Sequence, residues 1–387
     1  MNVSSGLRPN ALTRPRWPER IGEPARDFAA ILAMLLVSRA LLLAVGYAAA
    51  VHAGTPTEPL ALLCRFDCGW YLGIAEHGYS VAEASNQPGA TSFGFFPLFP
   101  LLVRSVSPLF AGNLLLAAVI AANGCVLAAL IYVYRYALLI GASRFAALSG
   151  VALLCIFPQS IVFSAPYSES LFLLLLAAAV FHFLREQFLL AALAAALLSA
   201  TRPTGVLFIV FALVCSLRSL GLRNMLLPWR QPDRFVPLVF APLGMFLFWG
   251  YCLFAVDDAF AHAHTELHGW GYYFMAPWSG LRVLLKLPGI PLIATLCSFA
   301  VLACALLLIQ RRRYAEFALC LAFVLLMWST STIGSIFRYW LVLFPIWVEV
   351  ARRLEARPFV FATVFSALAI VNGCMMWAWT LGDASGI

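Results

Sequence analysis

Leu171-Phe172-Leu173-Leu174-Leu175-Leu176-Ala177-Ala178-Ala179-Val180-Phe181 carries no polar side chain. The run does not alternate, so it is not a strand of a membrane β-barrel, which turns every second residue to lipid. As a helix it is apolar on every face, which suits lipid or the inside of a helical bundle. A helix also satisfies its own backbone hydrogen bonds, which hydrocarbon cannot do for it. Further apolar segments extend on both sides, at 28–53, 112–134, 145–163, 167–184, 187–200, 205–217, 236–256, 290–309, 314–331, 339–351 and 359–380. The long ones match the roughly 20 residues a helix needs to cross about 30 Å of hydrocarbon. Charged residues make up 11% of the chain and mean hydropathy is +0.92. A soluble domain carries about 25% charged residues, so the chain has too little charge to cover a water-facing surface. The fold class expected is an all-α, polytopic integral membrane bundle of about 11 transmembrane segments.

The formal charge is +8, which could suggest nucleic acid. The arginines, however, stand in short connectors between apolar runs, which is a topology signal; no nucleic-acid partner is expected. The segments 187–200 and 205–217 are short and separated by Thr201-Arg202-Pro203-Thr204-Gly205, and they read as a broken hairpin whose freed backbone lines a cavity. With the N-terminus in the cytoplasm, that hairpin places 18 basic residues inside and six outside: Arg65, Arg104, Arg202, Arg282, Lys286 and Arg338. A single crossing over 187–217 would put Arg218 to Arg234 outside, against the positive-inside rule. Residues 1–26 then form a cytoplasmic tail, too long and proline-rich for the start of a cleaved signal. Residues 27–387 form one transmembrane domain with two long extracytoplasmic loops, 54–111 and 257–289. Loops of that length in a compact bundle are usually functional. The preference for arginine (Lys286 is the sole lysine) suggests a GC-rich bacterial source, hence the bacterial inner membrane.

Most cysteines lie inside apolar runs and read as small hydrophobes. Cys64 and Cys68 flank an aspartate one turn apart; with no further ligands nearby they read as structural filler, and no metal site is assigned. Arg39 lies within the first span, where a charge is costly. No acid stands at matching depth, and the residue is expected only to face the bundle interior.

The first loop reads Cys64-Arg65-Phe66-Asp67-Cys68-Gly69-Trp70-Tyr71-Leu72-Gly73-Ile74-Ala75-Glu76-His77-Gly78-Tyr79. Its aromatic and aliphatic residues suit short interfacial helices. Asp67 beside them would be partly desolvated, which favours a general base; the plainer readings are a solvated aspartate or a helix cap. Phe95 to Arg104, broken by Pro97 and Pro100, suits an interfacial segment or a packed loop. In the second loop His262, His264, Glu266, His268, Trp270, Tyr272, Tyr273 and Trp278 offer ring stacking and hydrogen bonds for a sugar. His264, Glu266 and His268 are too few to assign a metal.

Phe66-Asp67-Cys68-Gly69-Trp70-Tyr71, with Phe96-Pro97-Leu98-Phe99-Pro100, resembles the PIG-V family of mannosyltransferases, polytopic glycosyltransferases of the GT-C class. The likeness continues through Phe163-Ser164-Ala165-Pro166-Tyr167-Ser168-Glu169-Ser170-Leu171-Phe172, Thr201-Arg202-Pro203-Thr204-Gly205, and Arg338-Tyr339 with Phe344-Pro345. The motifs fall in order over roughly residues 35 to 350.

The resemblance implies inverting transfer of a sugar, typically mannose, from a polyprenyl-phosphate-linked donor to an acceptor hydroxyl on the extracytoplasmic side. Asp67 matches the position of the catalytic base. Guanidinium groups grip phosphate bidentately, so Arg202 and Arg338 are the expected donor-phosphate ligands, with Arg65 and Arg104 as further candidates against a reading of headgroup snorkelling. Trp70, Tyr71, Tyr167, Glu169, His264, His268 and Trp270 are the substrate-binding candidates; for Glu169 a helix-capping role competes. The family carries a glutamine ahead of a Trp-Gly pair, where this chain has His264 or His268. Membrane lipids are the other partners. The acceptor is open among glycolipid, polysaccharide and protein, as is a divalent metal, since no ligand cluster indicates one. The alternative function is a lipid or glycolipid flippase without chemistry; it calls for polar residues along a route between spans, whereas here they gather at one face.

Overall fold

The computed structural model describes residues 24–85, 87–331 and 336–382, and among them every regular element is a helix. Most of the tail expected over 1–26 lies outside the described residues. Helix α1 (Pro24–His52) leads into the first loop, which holds α2 (Pro59–Leu62), α3 (Cys68–His77) and α4 (Leu98–Val106). Then come α5 (Leu114–Leu139), α6 (Arg144–Ile156), α7 (Glu169–Leu184), α8 (Phe188–Thr201) and α9 (Phe208–Met225). After α10 (Pro232–Phe240) and α11 (Leu243–Val256), the second loop carries α12 (Ala261–Trp270) and α13 (Pro277–Leu284). The chain closes with α14 (Ile290–Gln310), α15 (Tyr314–Trp328), α16 (Ile336–Leu341), α17 (Phe344–Leu354) and α18 (Pro358–Leu381).

Prolines account for most differences from the expected segments. The segment read over 145–163 ends as a helix at Ile156: Phe157 precedes Pro158 and is extended (φ −58°, ψ 143°), as a residue before proline tends to be. A 3₁₀ turn, Ser160–Phe163, follows. The segment over 236–256 divides at Ala241 and Pro242, and that over 339–351 divides ahead of Phe344-Pro345. Among the described residues six helical stretches are long and apolar enough to cross a membrane: Pro24–His52, Leu114–Leu139, Pro203–Met225, Pro232–Val256, Leu292–Gln310 and Pro358–Leu381. The protein is an integral membrane protein of the helical kind. Length alone does not reach the eleven crossings expected, because 14-residue α8 rises only about 21 Å.

The bundle has two electrostatic ends. At one, Asp27 at the start of α1 accepts from Arg144 Nε (2.5 Å) and Tyr134 Oη (2.6 Å). Glu316 in α15 accepts from Arg313 Nε at 3.0 Å and from Tyr136 Oη of α5 at 3.5 Å. Glu349 in α17 sits between Arg311 and Arg352, each at 3.3 Å. Glu186 joins α7 to Arg234 of α10 (3.0 Å). These acids neutralise several of the arginines that the sequence concentrates in the connectors.

Between the ends, α7 is buried along nearly its whole length and packs against α5 and α8. Ala177, Ala178 and Ala179 on α7, and Ala191, Ala194 and Ala195 on α8, are buried in this packing. Small residues let backbones approach, which is how helices associate where lipid supplies no hydrophobic drive. Among the described residues Arg39 has no acid partner. Its guanidinium donates to the Cys155 carbonyl (2.7 Å), the Ser160 carbonyl and Ser160 Oγ (3.1 Å), around the α6 end that Pro158 opens. A buried cation is here satisfied by backbone dipoles.

Gly244 faces α8 so closely that a Cβ there would lie 2.2 Å from the Ala196 carbonyl oxygen. Gly244→Leu is therefore expected to push α11 off α8 and cost at least ~1–3 kcal/mol. A lower unfolding midpoint and poorer monodispersity in detergent would show it; an unchanged midpoint would contradict this packing.

Candidate active site

At the other end Asp67 and Arg202, at breaks in the helical backbone, meet Glu169 at the start of α7 and Arg338 of α16. Asp67 is the N-cap residue of α3, yet its carboxylate makes no capping bond. Oδ2 instead accepts from Arg338 Nη1 of α16 at 2.8 Å. The same Arg338 Nη1 lies 3.3 Å from Glu169 Oε1, and Glu169 Oε1 also accepts from Arg202 Nη1 at 2.7 Å. The result is a continuous row, Asp67–Arg338–Glu169–Arg202, in which two carboxylates and two guanidiniums cancel. Glu169 is fully buried, and its Oε2 has no hydrogen-bond partner among the described residues. Asp67 is the most exposed of the four, with 23% of its side chain accessible.

Local sequence explains each placement. Arg202 lies between α8 and the 3₁₀ turn Pro203–Leu207, and is extended (φ −159°, ψ 145°) because it precedes Pro203. Its guanidinium lies 5.3 Å from the Tyr339 ring centre, and that of Arg338 lies 5.3 Å from Tyr167. Asp67 is held by its backbone too: its N–H donates to Tyr167 Oη (3.0 Å), whose hydroxyl donates to the Arg65 carbonyl (3.0 Å). Phe66 adopts a left-handed conformation (φ 49°), and its ring meets Trp379 of α18 at 5.2 Å. That turn brings Cys64 and Cys68 to 5.2 Å between Cα atoms, and they form a disulfide around Asp67. The reading of these cysteines as filler is corrected: residues four apart in a continuous helix could not pair so, but the chain here is a turn rather than a helix.

Asp67, Arg202 and Arg338 open on a cavity of about 1030 Å³. Trp70 and Tyr71 of α3 line it, as do Phe95 and Phe96, Tyr339, and α12. Trp270 packs against Trp70 (6.1 Å, edge-on) and against Phe95 (5.7 Å). Tyr71 Oη shares a hydrogen bond with Ser168 Oγ (2.9 Å), and burial together with nearby Glu169 raises its pKa, so the phenol stays neutral.

Other candidates read from the sequence fall elsewhere. Arg65 directs its guanidinium to the Thr380 carbonyl (3.1 Å), away from the cavity wall. Arg104 is exposed and donates to the Glu76 carbonyl (2.8 Å). Neither arginine joins Arg202 and Arg338, because local carbonyls take up their guanidinium groups first. Tyr167 and Glu169 stand behind the wall and hold the residues that form it. Glu169 opens α7, but it binds arginines rather than capping the helix. His264 lies at the cavity and pairs with Asp258 (2.7 Å), whereas His268 packs its Cβ against the Gly89 backbone position. Among the described residues no three His, Cys, Asp or Glu side chains gather as a metal set.

His262 and Glu266, which the sequence offered only among the polar groups of the second loop, also line the cavity, as do Tyr272 and Tyr273. His262 Nδ1 donates to the Phe93 carbonyl (3.3 Å), and burial lowers its pKa to about 4, so the ring is neutral. What the sequence did not give for His262 and Glu266 is their common face: the spacing 262, 266, 270 places them in line with Trp270 only once residues 261–270 are assigned as a helix.

A family model described as mannosyltransferase (PIG-V) matches residues 44–250, more than half of the chain. No curated protein matches the chain. Among solved structures, ArnT from Cupriavidus metallidurans bound to undecaprenyl phosphate superposes with a TM-score of 0.52 at 13% identity, covering 91% of this chain and 76% of that one. The Archaeoglobus fulgidus oligosaccharyltransferase in the apo form gives 0.50 at 12% identity, covering 92% of this chain and 56% of that one. Both share the GT-C fold.

Two outcomes test the site's construction. Glu169→Gln removes the anion between buried Arg338 and half-buried Arg202 and is expected to cost on the order of 3–5 kcal/mol, read as a drop in the unfolding midpoint; Asp67→Asn, at the cavity surface, should shift it far less. Replacing Cys64 and Cys68 by serine should cost about 2 kcal/mol through the lost loop constraint, and peptide mapping without reductant should recover residues 64–68 as one linked peptide.

Proposed function

The chain belongs to the PIG-V mannosyltransferase family, and from that premise we propose that it transfers mannose, with inversion, from a polyprenyl-phosphate donor to an acceptor hydroxyl, with Asp67 as the base. The observation that carries this reading is the row Asp67–Arg338–Glu169–Arg202 opening on one cavity beside tryptophan rings. Asp67 Oδ2 is fixed by Arg338, and Oδ1 has no hydrogen bond among the described residues, so it is the atom placed to take a proton.

The chemistry balances on these residues. The acceptor hydroxyl loses its proton to Asp67 as its oxygen bonds to the anomeric carbon. The bond from that carbon to the phosphate oxygen breaks on the opposite face, and its electron pair leaves with the polyprenyl phosphate. The four charges sum to zero at rest. When Asp67 becomes neutral, the remaining three sum to +1, just as negative charge develops on the leaving phosphate. A fixed cationic field of this kind, in a site shielded from water, lowers the barrier without reorganisation. Arg202 and Arg338 are the donor-phosphate ligands in this scheme. Trp70 and Trp270 supply apolar ring faces for a sugar. The polyprenyl phosphate in the ArnT structure supports this class of donor.

We read residues 27–387 as one transmembrane catalytic unit with eleven crossings. The support is directional: the chain alternates between the arginine-rich end and the Asp67 end from α1 to α18, with α10–α11 as one passage and shorter helices such as α6 and α8 completed by extended or 3₁₀ residues. The positive-inside rule then places the arginine-rich end in the cytoplasm. The Cys64–Cys68 disulfide accords with an oxidising compartment, such as a bacterial periplasm, around Asp67. Charges stand at both ends, but the row at the Asp67 end borders a cavity ringed by tryptophans instead of a polar route between spans, which favours transfer over lipid flipping.

Purified protein supplied with radiolabelled polyprenyl-phosphate mannose and octyl mannoside is expected to form a new mannoside. Asp67→Asn, folded to the same unfolding midpoint within error, should lower the rate by on the order of 10²–10⁴-fold. Transbilayer movement of the lipid without a new glycosidic product would instead select the flippase.

A further inference from the structure

Helix α12 is clamped over the cavity by contacts that leave one of its side chains unused. Thr265 Oγ1 meets Thr91 Oγ1 at 2.8 Å, Gln87 Nε2 donates to the Gly269 carbonyl at 3.0 Å, and a Cβ on Gly269 would lie 2.7 Å from Ala90 Cα. These fix the helix against residues 87–94. His262 is anchored to Phe93, and Trp270 packs edge-on against the stacked pair Trp70 and Phe95. Glu266 lies between them at i+4 and i−4, on the same face, and lines the cavity. Unlike His262, its half-buried carboxyl makes no hydrogen bond or ion pair with any described residue.

We propose that Glu266 is a substrate-positioning residue whose carboxylic acid donates a hydrogen bond to a hydroxyl of a sugar ring held beside Trp70 and Trp270. The proposal rests on the transferase reading and deepens it, because it gives the sugar a polar contact on the wall formed by α12.

The electrostatics of the wall fit a neutral acid. Burial, and then the neighbouring Asp67 carboxylate, raise the pKa of Glu266 to about 7, against the opposing pull of Arg202 and Arg338. On its own helix His262 is neutral and His264 is already paired with Asp258. The other titratable groups facing this space are the phenols of Tyr71, Tyr272, Tyr273 and Tyr339. An ionised Glu266 would add a negative charge to a balanced row and oppose the arriving phosphate. As an acid it can donate a hydrogen bond, which a carboxylate cannot. The group is protonated below about pH 7 and loses that proton as pH rises through this value, so the contact belongs to the acid side.

The test is steady-state kinetics with polyprenyl-phosphate mannose and octyl mannoside, each varied in turn, at pH values either side of 7. Glu266→Ala is expected to raise KM for one of them roughly tenfold at the lower pH, the size of one lost hydrogen bond. A change in the donor KM assigns the hydroxyl to the donor sugar, and a change in the octyl mannoside KM assigns it to the acceptor. Wild-type KM for that substrate should rise with pH. Glu266→Gln, which still donates but does not titrate, should restore binding and flatten that rise.

Equal impairment of the Ala and Gln variants with the wild-type pH profile retained, or no change in either KM, would overturn the proposal. Should wild type transfer no mannose at all, the transferase reading fails first. Thermal-shift titration with octyl mannoside and with polyprenyl-phosphate mannose then judges Glu266 separately. Stabilisation of wild type and Glu266→Gln but not Glu266→Ala supports the sugar contact; equal shifts, or none in any of the three proteins, dismiss it.

Discussion

Glu169 is a carboxylate with no access to water, seated between guanidiniums from two segments distant in sequence. Isolated, such an anion would be prohibitively costly to bury. Paired with Arg202 and Arg338, it ties the start of α7 to the end of α8 and to α16, and through Arg338 it reaches Asp67 at the head of α3. The cavity's polar wall is consequently the exposed edge of a buried ion network. Its geometry is set by the cost of leaving any member unpaired, since removing one partner strands the others in a low-dielectric interior.

The opposite end uses charge pairing for a different purpose. Asp27, Glu186, Glu316 and Glu349 each hold one or more connector arginines, and tyrosines 134 and 136 reach the first and third of these sites from α5. There the ion pairs fasten helix ends to one another. At the Asp67 end the ion row faces a cavity roofed by α12. Paired charges are therefore common to both ends; what distinguishes the candidate active site is that its charges border a space ringed by Trp70, Phe95 and Trp270.

Much of this was legible in the residues. The non-alternating apolar run at Leu171 to Phe181 leads directly to a helix, because only a helix closes its own hydrogen bonds in a dry environment. Arg202 was readable as a break because Pro203 disfavours a helical conformation in the residue before it. The helical assignment of the second long loop was not readable with the same force: Ala261–Trp270 is neither strongly apolar nor capped by a side chain. Its periodicity shows only when Trp270 is seen against Trp70. The Cys64–Cys68 bond escaped for a similar reason. Their spacing suggested one helical turn, while the left-handed Phe66 supplied the reversal that brings the sulfurs together.

The class of molecule and the chemistry it has to hand follow from the residues alone. An apolar helical chain, arginines in its connectors and Asp67 among aromatic residues are all set by composition and by the short-range rules of proline and periodicity. Which charges meet was settled instead by the packing of distant segments. Arg65, Arg104, Arg202 and Arg338 are alike by residue type, and the sequence sets Arg202 and Arg338 first because they stand at span boundaries. Two find nearby carbonyls and two converge on Glu169. That the two meet on one carboxylate depends on which segments face one another across the bundle, a long-range property that no local pattern encodes.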